Sequence, residues 1–467
     1  MTGNVLGAIV LVCLGYLLLT NLTYAALVLV AVVENAVRRH ETASQDYEGL
    51  AISRFTIPVS VIVAAYNEES GIVSAVDSLL GLEYPELEVI VVNDGSTDGT
   101  LERLREEFAL EPYQVFVRHV FVTAEVGSIY RSADHPNLVV VDKANGGKAD
   151  ALNAGLNVAR YRYVCGVDAD TVFERDALLK GMRRVVEDPA RIVGLTSHLG
   201  IAEDPGRAMA APKGARPIDG RSFIAYQHLD YLRAFFNNRL AWSRLGFMLC
   251  SVGAFQIWRR DVLEEVGGYA EGFTCEDIEL TFRVHERFLR EGRDYEIHCL
   301  PDNVGTTEGP GTVRKLVSQR ERWQRVIAET VWHYRRMCFN PRYKSVGLIG
   351  APFYVVTEVI APVFELLSIV LFPLAVAVGV FDFTVFLVMV AAIAFMNAAL
   401  TTSAIYLEDL QARTYRTRDL VRLLLLAPFD IVLYRPFIVW ARLKGSWRFL
   451  RGDKAWHKFE RNVRAPA

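Results

Sequence analysis

The chain has 467 residues, enough for two or three domains, and 52% of them are hydrophobic. Its net charge of -3 at pH 7 provides no strong cationic field, which argues against nucleic acid as a partner. The six cysteines are scattered without a C-x-x-C pair, so we expect reduced thiols in a cytosolic domain rather than a disulfide framework.

The chain opens with an apolar segment, residues 5–33, that is nearly free of charge. As a helix it is long enough to cross a hydrocarbon core of roughly 30 Å, and too long for the apolar part of a signal peptide. Arg38, Arg39 and His40 follow it, and such charge favours the cytosolic side. We therefore predict a transmembrane helix in residues 1–40 and a cytosolic domain in residues 41–310.

Strand and helix patterns alternate in the first part of this domain. Strands are predicted at 57–65, 87–92, 137–141 and 163–167, and helices at 71–80, 101–108 and 148–159. This order predicts an α/β fold with a parallel sheet and right-handed crossovers.

Polar residues gather where four of these strands end. They include Tyr66 and Glu68 after the first strand, Asp94 after the second, residues 143–148 after the third, and Asp168 and Asp170 after the fourth. Ligands of open α/β sheets bind outside the carboxyl ends of the strands. Four such clusters at one edge predict a nucleotide pocket.

Asp168 and Asp170 form a D-x-D pair in the stretch VDADT. Two carboxylates at this spacing suit one hard divalent cation, which would also hold phosphate oxygens and neutralise a diphosphate leaving group. A polar turn that caps the next helix is the alternative interpretation.

Asp94 and Lys148 also have two interpretations each. In NDGSTDGT, Asp94 either accepts a hydrogen bond from a nucleobase N–H or belongs to a plain turn. In NGGKADALN, Lys148 begins a helix, where a cation is unfavourable for the helix dipole unless an anion lies nearby. A solvated lysine is the alternative.

Glu276 and Asp277, in GFTCEDIEL, precede an amphipathic helix. Acidic residues in a first helical turn are favoured by the helix dipole alone. The catalytic interpretation makes Asp277 a general base that removes a proton from an attacking sugar hydroxyl, which suits a single displacement with inversion.

The stretch QRERW lies in a basic amphipathic region, residues 311–345, and supplies Gln319, Arg322 and Trp323. Gln319 and Arg322 could cover a diphosphate, and Trp323 could stack against an acceptor sugar. An interfacial helix on anionic lipid is the alternative, and both can hold together.

Hydrophobic character returns at residues 346–381, 383–407 and 420–440. The third run contains Asp430 and Arg435 and could be a spanning helix or a kinked interfacial one. Glu358 and Glu365 lie in the first of these runs, where carboxylates face protein, a water-filled path or the headgroups. The tail, residues 442–467, is basic and should be cytosolic. Because one early and three late spans would put it outside, we expect one run in the region 346–441 not to cross.

Seven motifs occur in a fixed order: VIVAAYNEE, VVNDGSTDGT, NGGKADALNAGL, VDADT, SVGAFQIWRR, CED and QRERW. Together they resemble the membrane-embedded, processive family-2 glycosyltransferases, such as cellulose, hyaluronan, chitin-oligosaccharide and poly-N-acetylglucosamine synthases. The resemblance covers residues 57–343 and implies a GT-A fold in the cytosolic domain, flanked by transmembrane helices.

The resemblance also implies a role for each candidate residue. Tyr66, Glu68, Asp94, Lys148, Asp168, Gln319 and Arg322 would bind the UDP-sugar donor; Asp170, with Asp168, would bind Mg²⁺ or Mn²⁺; Asp277, with Glu276 beside it, would be catalytic; and Trp323 would bind the acceptor. A gating loop of F-x-V-T-x-K type and a PilZ domain are absent from the sequence, which argues against cellulose. The phrase NGGKADALN resembles the N-acetylglucosamine-polymerising branch.

Three functions stay open at this point. The first is a processive inverting enzyme that polymerises a UDP-sugar, with UDP-N-acetylglucosamine favoured, on a growing glycan. The second is a single transfer to a membrane lipid acceptor. The third is an inactive homologue that acts as a scaffold with export or accessory proteins, against which the intact aspartates argue.

Overall fold

The computed structural model describes residues 2–43, 49, 56–114, 116–211, 218, 222–412 and 415–453. The chain divides into two compact units. The sheet unit comprises the described residues of Arg39–Pro212 and Met248–Glu308, and the helical unit those of Met1–Arg38, Lys213–Phe247 and Gly309–Ala455. Lys454, Lys458, Arg461 and Arg464, which contribute to the predicted basic tail, lie outside the described residues.

In the described part of the chain, ten strands form one mixed sheet in the order β3-β4-β5-β2-β1-β6-β9-β8-β10-β7. The strands are β1 (Val59–Ala65), β2 (Leu87–Asp94), β3 (Leu110–Pro112), β4 (Val126–Ser132), β5 (Leu138–Lys143), β6 (Tyr163–Asp168), β7 (Thr171–Phe173), β8 (Ile192–Ala202), β9 (Phe255–Arg259) and β10 (Glu296–Glu308).

Helix α1 (Thr2–Ala43) opens the chain and belongs to the helical unit up to Arg38. The α-helices of the sheet unit lie between the strands. They are α2 (Ile72–Leu80), α3 (Thr100–Glu107), α4 (Lys148–Val158), α5 (Ala177–Glu187) and α6 (Pro205–Ala210), and, after a stretch that belongs to the helical unit, α9 (Arg260–Val266) and α10 (Glu276–Arg290). That stretch carries α7 (Ser222–Leu232), a π-helical turn (Arg233–Arg239) and α8 (Leu240–Arg244).

The centre of the sheet is parallel, as the alternating pattern predicts. Strands β5, β2, β1 and β6 pair in parallel register. Their alternate residues, such as Val59, Val61, Val89 and Val140, belong to one buried hydrophobic core. The sequence did not predict the antiparallel strands β3, β4, β7 and β9 that extend this centre.

The second half of the helical unit contains the remaining helices. They are α11 (Val313–His333), α12 (Ala351–Tyr354), α13 (Ala361–Ala377), α14 (Phe383–Ala412), α15 (Thr417–Leu426), α16 (Asp430–Leu433) and α17 (Arg435–Leu450), with π-helical turns at Val346–Gly350 and Val355–Ile360 and 3-10 turns at Arg335–Met337, Pro341–Tyr343 and Ala427–Phe429.

Three of the described helical segments are long and apolar enough to cross a membrane: Asn4–Glu41, Val346–Ala377 and Phe383–Gln411. A fourth crossing exists only if the pair Thr417–Leu433 and Arg435–Leu450, which meets at a bend of 49°, counts as one span. The run that the sequence predicts at 420–440 is therefore two helices with a sharp break between them. The length and apolar composition of these helices make the chain a membrane protein.

The two glutamates of the first late span face protein groups. Glu365 lies 2.5 Å from Arg435, and Glu358 lies 3.0 Å from Arg442. Both arginines belong to α17. Pairing with a cation offsets much of the cost of removing a carboxylate from water, which explains how these acidic residues are tolerated.

Candidate active site

The carboxyl ends of β5, β2, β1 and β6 meet at one edge of the sheet, as predicted. Asp94 pairs in register with Lys143, and Asp168 pairs with Ala64, next to the end of β1. The backbone direction of parallel strands thus collects Tyr66, Asp94, Lys148 and Asp168 at one side of the sheet unit.

Lys148 forms the centre of a charged cluster. Its Nζ lies 2.7 Å from Asp168 and 2.7 Å from Glu276. Burial alone lowers the pKa of Lys148, but these two carboxylates outweigh that effect and raise its pKa well above the ordinary value. Lys148 begins α4, as predicted, and the anions that compensate its position at the helix N-terminus are protein carboxylates.

Asp277 lies in the first turn of α10, directly after Glu276. Its Oδ2 accepts a hydrogen bond from the Gly253 N–H at 3.0 Å, and its Oδ1 accepts one from the Ile278 N–H at 2.7 Å. Burial, and then the charge of Glu276, raise the pKa of Asp277 above its ordinary value. A fixed carboxylate with a raised pKa is suited to take up a proton.

Gly253 is a part of this site that sequence reasoning missed, although it lies in the stretch SVGAFQIWRR. A Cβ at this position would lie 3.0 Å from Lys148 Nζ, 3.1 Å from Asp277 Oδ2 and 3.4 Å from Glu276 Oε1. Three charged groups therefore converge on a residue without a side chain. The glycine in a motif near the predicted base was the available signal.

Asp168 and Asp170 fit a divalent cation by the chemistry of their donor atoms. Both carboxylates are half-buried at the end of β6, and Asp170 Oδ1 accepts hydrogen bonds from the hydroxyls of Thr171 and Thr307. Among the described residues, no group of three or more His, Cys, Asp or Glu side chains forms a metal site. The pair would thus share a cation with oxygen atoms of a bound ligand.

The Asp94 carboxylate binds the loop Asn145-Gly146-Gly147. Oδ1 accepts from Lys143 Nζ at 2.6 Å and from the Gly146 N–H at 2.9 Å, and Oδ2 accepts from the Gly147 N–H at 2.8 Å. The expected contact of Asp94 with a nucleobase stays a prediction, and this structure gives the side chain a second role.

The turn after β1, which contains Tyr66 and Glu68, is hydrogen-bonded to the turn after β2. The Glu68 N–H donates to Thr100 Oγ1 at 2.8 Å, and Asn67 Oδ1 accepts from the Thr97 N–H at 2.7 Å. Asn67 has φ +53°, a conformation that asparagine tolerates better than most residues. These hydrogen bonds therefore hold two of the predicted donor-binding segments in a fixed position relative to each other.

Gln319, Arg322 and Trp323 belong to α11 in the helical unit, and their roles in donor and acceptor binding stay predictions. The Arg320 guanidinium lies 4.2 Å from the Trp323 ring centroid and pairs with Asp230 at 2.9 Å. Gln319 Oε1 and Arg322 Nε are buried and have no hydrogen-bond partner within the described ranges.

Comparison with known proteins decides the family. A model described as "Glycosyl transferase family group 2" matches residues 163–396, half of the chain, and one described as "Glycosyl transferase family 2" matches residues 60–120. The chain belongs to the family-2 glycosyltransferases. The charged cluster of this glycosyltransferase lies within the matched ranges or beside them.

Two relatives of the glycosyltransferase carry the same description, poly-beta-1,6-N-acetyl-D-glucosamine synthase. The protein from Staphylococcus epidermidis is 28% identical over 267 residues, which are 57% of this chain and 53% of the relative. The protein from Staphylococcus aureus (strain COL) is 25% identical over 268 residues, with the same shares. The chain thus spans about half the length of the curated relatives it matches.

A solved structure supports the fold. The mannosyltransferase from Pyrobaculum calidifontis, solved in complex with GDP-Man and Mn²⁺, aligns with a TM-score of 0.53 at 17% identity, over 95% of this chain and 99% of that chain. At this identity the likeness concerns the fold alone. The fold of the glycosyltransferase is therefore GT-A with flanking apolar helices, as predicted.

Proposed function

We propose that this glycosyltransferase polymerises N-acetylglucosamine from UDP-N-acetylglucosamine into an extracellular β-linked polysaccharide, by a processive inverting reaction. The observation that carries the proposal is the Asp277 carboxylate, held by two N–H groups beside the Lys148, Asp168 and Glu276 cluster. The relatives described as poly-N-acetylglucosamine synthases support the choice of sugar.

Asp277 is proposed as the general base. It takes the proton of an acceptor hydroxyl while that oxygen bonds to the anomeric carbon of the donor, and the bond from that carbon to the diphosphate breaks on the opposite side. UDP leaves, and the configuration at the anomeric carbon inverts. Glu276 keeps Lys148 beside the base and raises the pKa of Asp277, so that the carboxylate accepts the proton more readily.

The donor site is proposed to bind the diphosphate through charged groups. Lys148 would face the diphosphate with its ammonium group, and Asp168 and Asp170 would hold Mg²⁺ or Mn²⁺. When bound, the cation would supply charge neutralisation for the leaving group. The remaining donor-binding residues are proposed to be Tyr66, Glu68, Asp94, Gln319 and Arg322.

The acceptor end is proposed to rest on Trp323. An aromatic face binds the apolar face of a sugar ring. The Arg320 guanidinium covers one face of the Trp323 indole ring and so fixes the orientation of the indole. Such a platform suits a chain that is extended repeatedly, because each new terminal sugar presents a similar face.

The catalytic domain is proposed to be cytosolic, in a multi-pass protein of the plasma or inner membrane. Arg38 and Arg39 follow the first span, which favours the cytosol for the segment after it. Membrane lipids would surround the three spans, and accessory or export proteins would be further partners.

Turnover of purified full-length protein tests the proposal directly. With Mg²⁺ or Mn²⁺ present, UDP-N-acetylglucosamine should give a long polymer, and UDP-glucose should not. Asp277→Asn should abolish transfer and leave UDP binding largely intact, and a chelator should stop turnover. Addition of one sugar to a lipid would instead establish the single-transfer alternative, and full activity in chelator would remove the D-x-D assignment.

A further inference from the structure

The segment that joins α11 to the second span is rich in cations. This juxtamembrane loop, residues 332–345, leads directly into the apolar segment Val346–Ala377. Residues 330–357 contain no aspartate or glutamate. They do contain four exposed cations: Arg335, Arg336, Arg342 and Lys344. Because the loop comes immediately before a span, this charge lies at a membrane surface.

Three of these cations are available to an external anion. Within the described ranges, Arg335, Arg336 and Lys344 form no ion pair with a carboxylate. The Arg335 guanidinium instead lies 4.8 Å from the Trp332 ring centroid and donates to the Trp332 carbonyl at 2.8 Å. Arginine and lysine are the side chains that bind phosphate groups most readily, through charge-assisted hydrogen bonds.

The same loop exposes large apolar side chains. Trp332 is 61% exposed and Phe339 is 72% exposed. Leu348 and Ile349, in the first turn of the span, are about equally exposed and continue this apolar surface. Aromatic rings beside cations are typical of the membrane–water interface, where one part of the surface contacts acyl chains and the other contacts headgroups.

The backbone holds the loop against the start of the span. The Phe339 N–H donates to the Gly347 carbonyl at 2.9 Å, and a Cβ on Gly347 would lie 2.4 Å from the Asn340 carbonyl oxygen. Phe339 has φ +58° and Lys344 has φ +47°, a region that residues with a side chain seldom adopt. Two unfavourable backbone conformations in one short loop point to a role beyond the connection of two helices.

Helix α11 itself presents its central cations to protein groups. Arg320 is buried and lies 2.9 Å from Asp230, and Arg325 is buried and donates to the Asp453 carbonyl at 2.7 Å. The contact with anionic lipid that the sequence allows for the whole region 311–345 is therefore best supported at its end, in the juxtamembrane loop.

We propose that the juxtamembrane loop selectively binds anionic phospholipids at the surface of the membrane. Arg335, Arg336 and Lys344 would contact the lipid phosphate groups, and Trp332 and Phe339 would lie at the level of the glycerol and the first acyl carbons. A lipid fits better than soluble phosphate, because the cations adjoin an exposed apolar surface that continues into the span. The proposal goes beyond glycosyl transfer and depends on neither the sugar nor the acceptor.

Quenching of Trp332 by brominated phospholipid tests this proposal. The full-length protein is reconstituted in phosphatidylcholine vesicles that contain a rising fraction of lipid brominated near the headgroup end of its acyl chains, either phosphatidylglycerol or phosphatidylcholine. The Trp332 signal is the difference between the wild-type protein and Trp332→Phe, because the chain has seven tryptophans. Half-maximal quenching should need at least about fivefold less brominated phosphatidylglycerol than brominated phosphatidylcholine. Equal fractions of the two would overturn the proposal.

Two double variants connect the preference to the charges of the loop. Arg336→Gln with Lys344→Gln should bring the two half-maximal fractions within about twofold of each other. Arg336→Lys with Lys344→Arg keeps both charges and should keep the preference. Each double variant is measured against the same variant with Trp332→Phe. An undiminished preference in the glutamine variant would show that these cations do not select the lipid, and would overturn the proposal.

Arg103→Gln with Arg162→Gln is the matched control for net charge. Both arginines are exposed and belong to the sheet unit, so this variant loses the same charge without a change in the loop. It should keep the wild-type preference. A loss as large as that of the loop variant would show that the net charge of the chain sets the preference, which also overturns the proposal.

Competing anions separate a lipid site from a site for soluble phosphate. Inorganic phosphate and chloride, added at equal ionic strength, should weaken the preference equally, because both then act only by screening. A clearly larger loss in phosphate would show that the cations form a site for a soluble anion, and would overturn the assignment to a lipid. None of these measurements requires turnover, so their outcome is independent of the proposed reaction.

Discussion

At the scale of single residues, the chemistry depends on how two adjacent carboxylates differ. Glu276 is buried and paired with Lys148, whereas Asp277 is held by N–H groups and is half-buried. The negative charge of Glu276 is, after burial, the largest influence that raises the pKa of Asp277. The Glu276 carboxylate therefore raises the pKa of the Asp277 carboxyl group.

This arrangement predicts a shift in the pH dependence of transfer. A general base works only when deprotonated, so kcat/KM should fall as the pH drops through the pKa of Asp277. Glu276→Gln removes a charge that raises this pKa, so the acidic limb should move to lower pH. Glu279→Gln, in the same helical turn but paired with Arg283, should leave the limb in place. An unmoved limb in Glu276→Gln would show that Asp277 does not set it.

Gly253 makes a second residue-scale prediction. In Gly253→Ala, the new methyl group would crowd Lys148 Nζ and Asp277 Oδ2, so kcat should fall by at least about tenfold while the protein still folds. Gly272→Ala is the control, since a Cβ there meets nothing within 4 Å. Equal activity of the two variants would mean that the site tolerates a displacement of its base.

The sequence predicted most residues of this cluster, because each one follows a recognisable strand or precedes a recognisable helix. Lys148, Asp168, Glu276 and Asp277 do meet in the structure. Gly253 was missed as a functional residue, because its importance comes from contacts between segments far apart in sequence, which no local pattern records.

At the scale of elements, asparagine side chains of α4 form hydrogen bonds with the backbone of two other segments of the sheet unit. Asn157 accepts from the N–H groups of Val120 and Phe121, at 3.1 and 3.0 Å, and donates to the Phe121 carbonyl at 2.8 Å. Asn153 makes a similar pair of bonds with the backbone of Tyr269. The polar residues of NGGKADALNAGLN thus organise the domain as well as the active site.

Asn157→Ala should therefore loosen one segment selectively. The amides of Val120 and Phe121 would lose their acceptor, at a cost of about 1–3 kcal/mol, and should exchange faster with deuterium. Asn153→Ala, on the same helix, should instead expose the amide of Tyr269. Faster exchange of both segments in Asn157→Ala would indicate global destabilisation and would contradict this division of roles.

The limits of sequence reading at this scale are physical. The parallel strands β1, β2, β5 and β6 were predicted because they are short, largely apolar runs, buried on both faces and bounded by polar turns. Strands β3 and β7 have three residues each, too few for a periodic pattern, and exist through pairing with β4 and β10. The break at Tyr434 agrees with one of the two sequence alternatives for this run, a kinked helix, which the charged residues Asp430 and Arg435 within the run favour over a straight span.

At the scale of the whole molecule, this break bears on membrane topology. Helix α17 packs along α11: Arg448 lies 2.8 Å from Glu321, and Arg442 Nε donates to Gln324 Oε1 at 2.9 Å. Since α11 comes before the second span in the chain, α17 and the tail should lie on the side of the membrane that α11 occupies. The bent pair would then enter without crossing, which leaves three crossings and removes the conflict between the basic tail and an even number of spans.

We therefore predict a cytosolic C-terminus, which reporter fusions can locate. Green fluorescent protein fused after the tail should fluoresce, and alkaline phosphatase fused there should be inactive, because the first folds in the cytosol and the second only outside it. The control is a fusion after Val380, between the second and third spans, where the two reporters should behave in the opposite way. Phosphatase activity at both sites would show that Thr417–Leu450 crosses as a fourth span. In that case the contacts of α17 with Glu321 and Gln324 would have to lie within the membrane, where the carboxylate of Glu321 would depend on Arg448 and Lys444 for charge compensation.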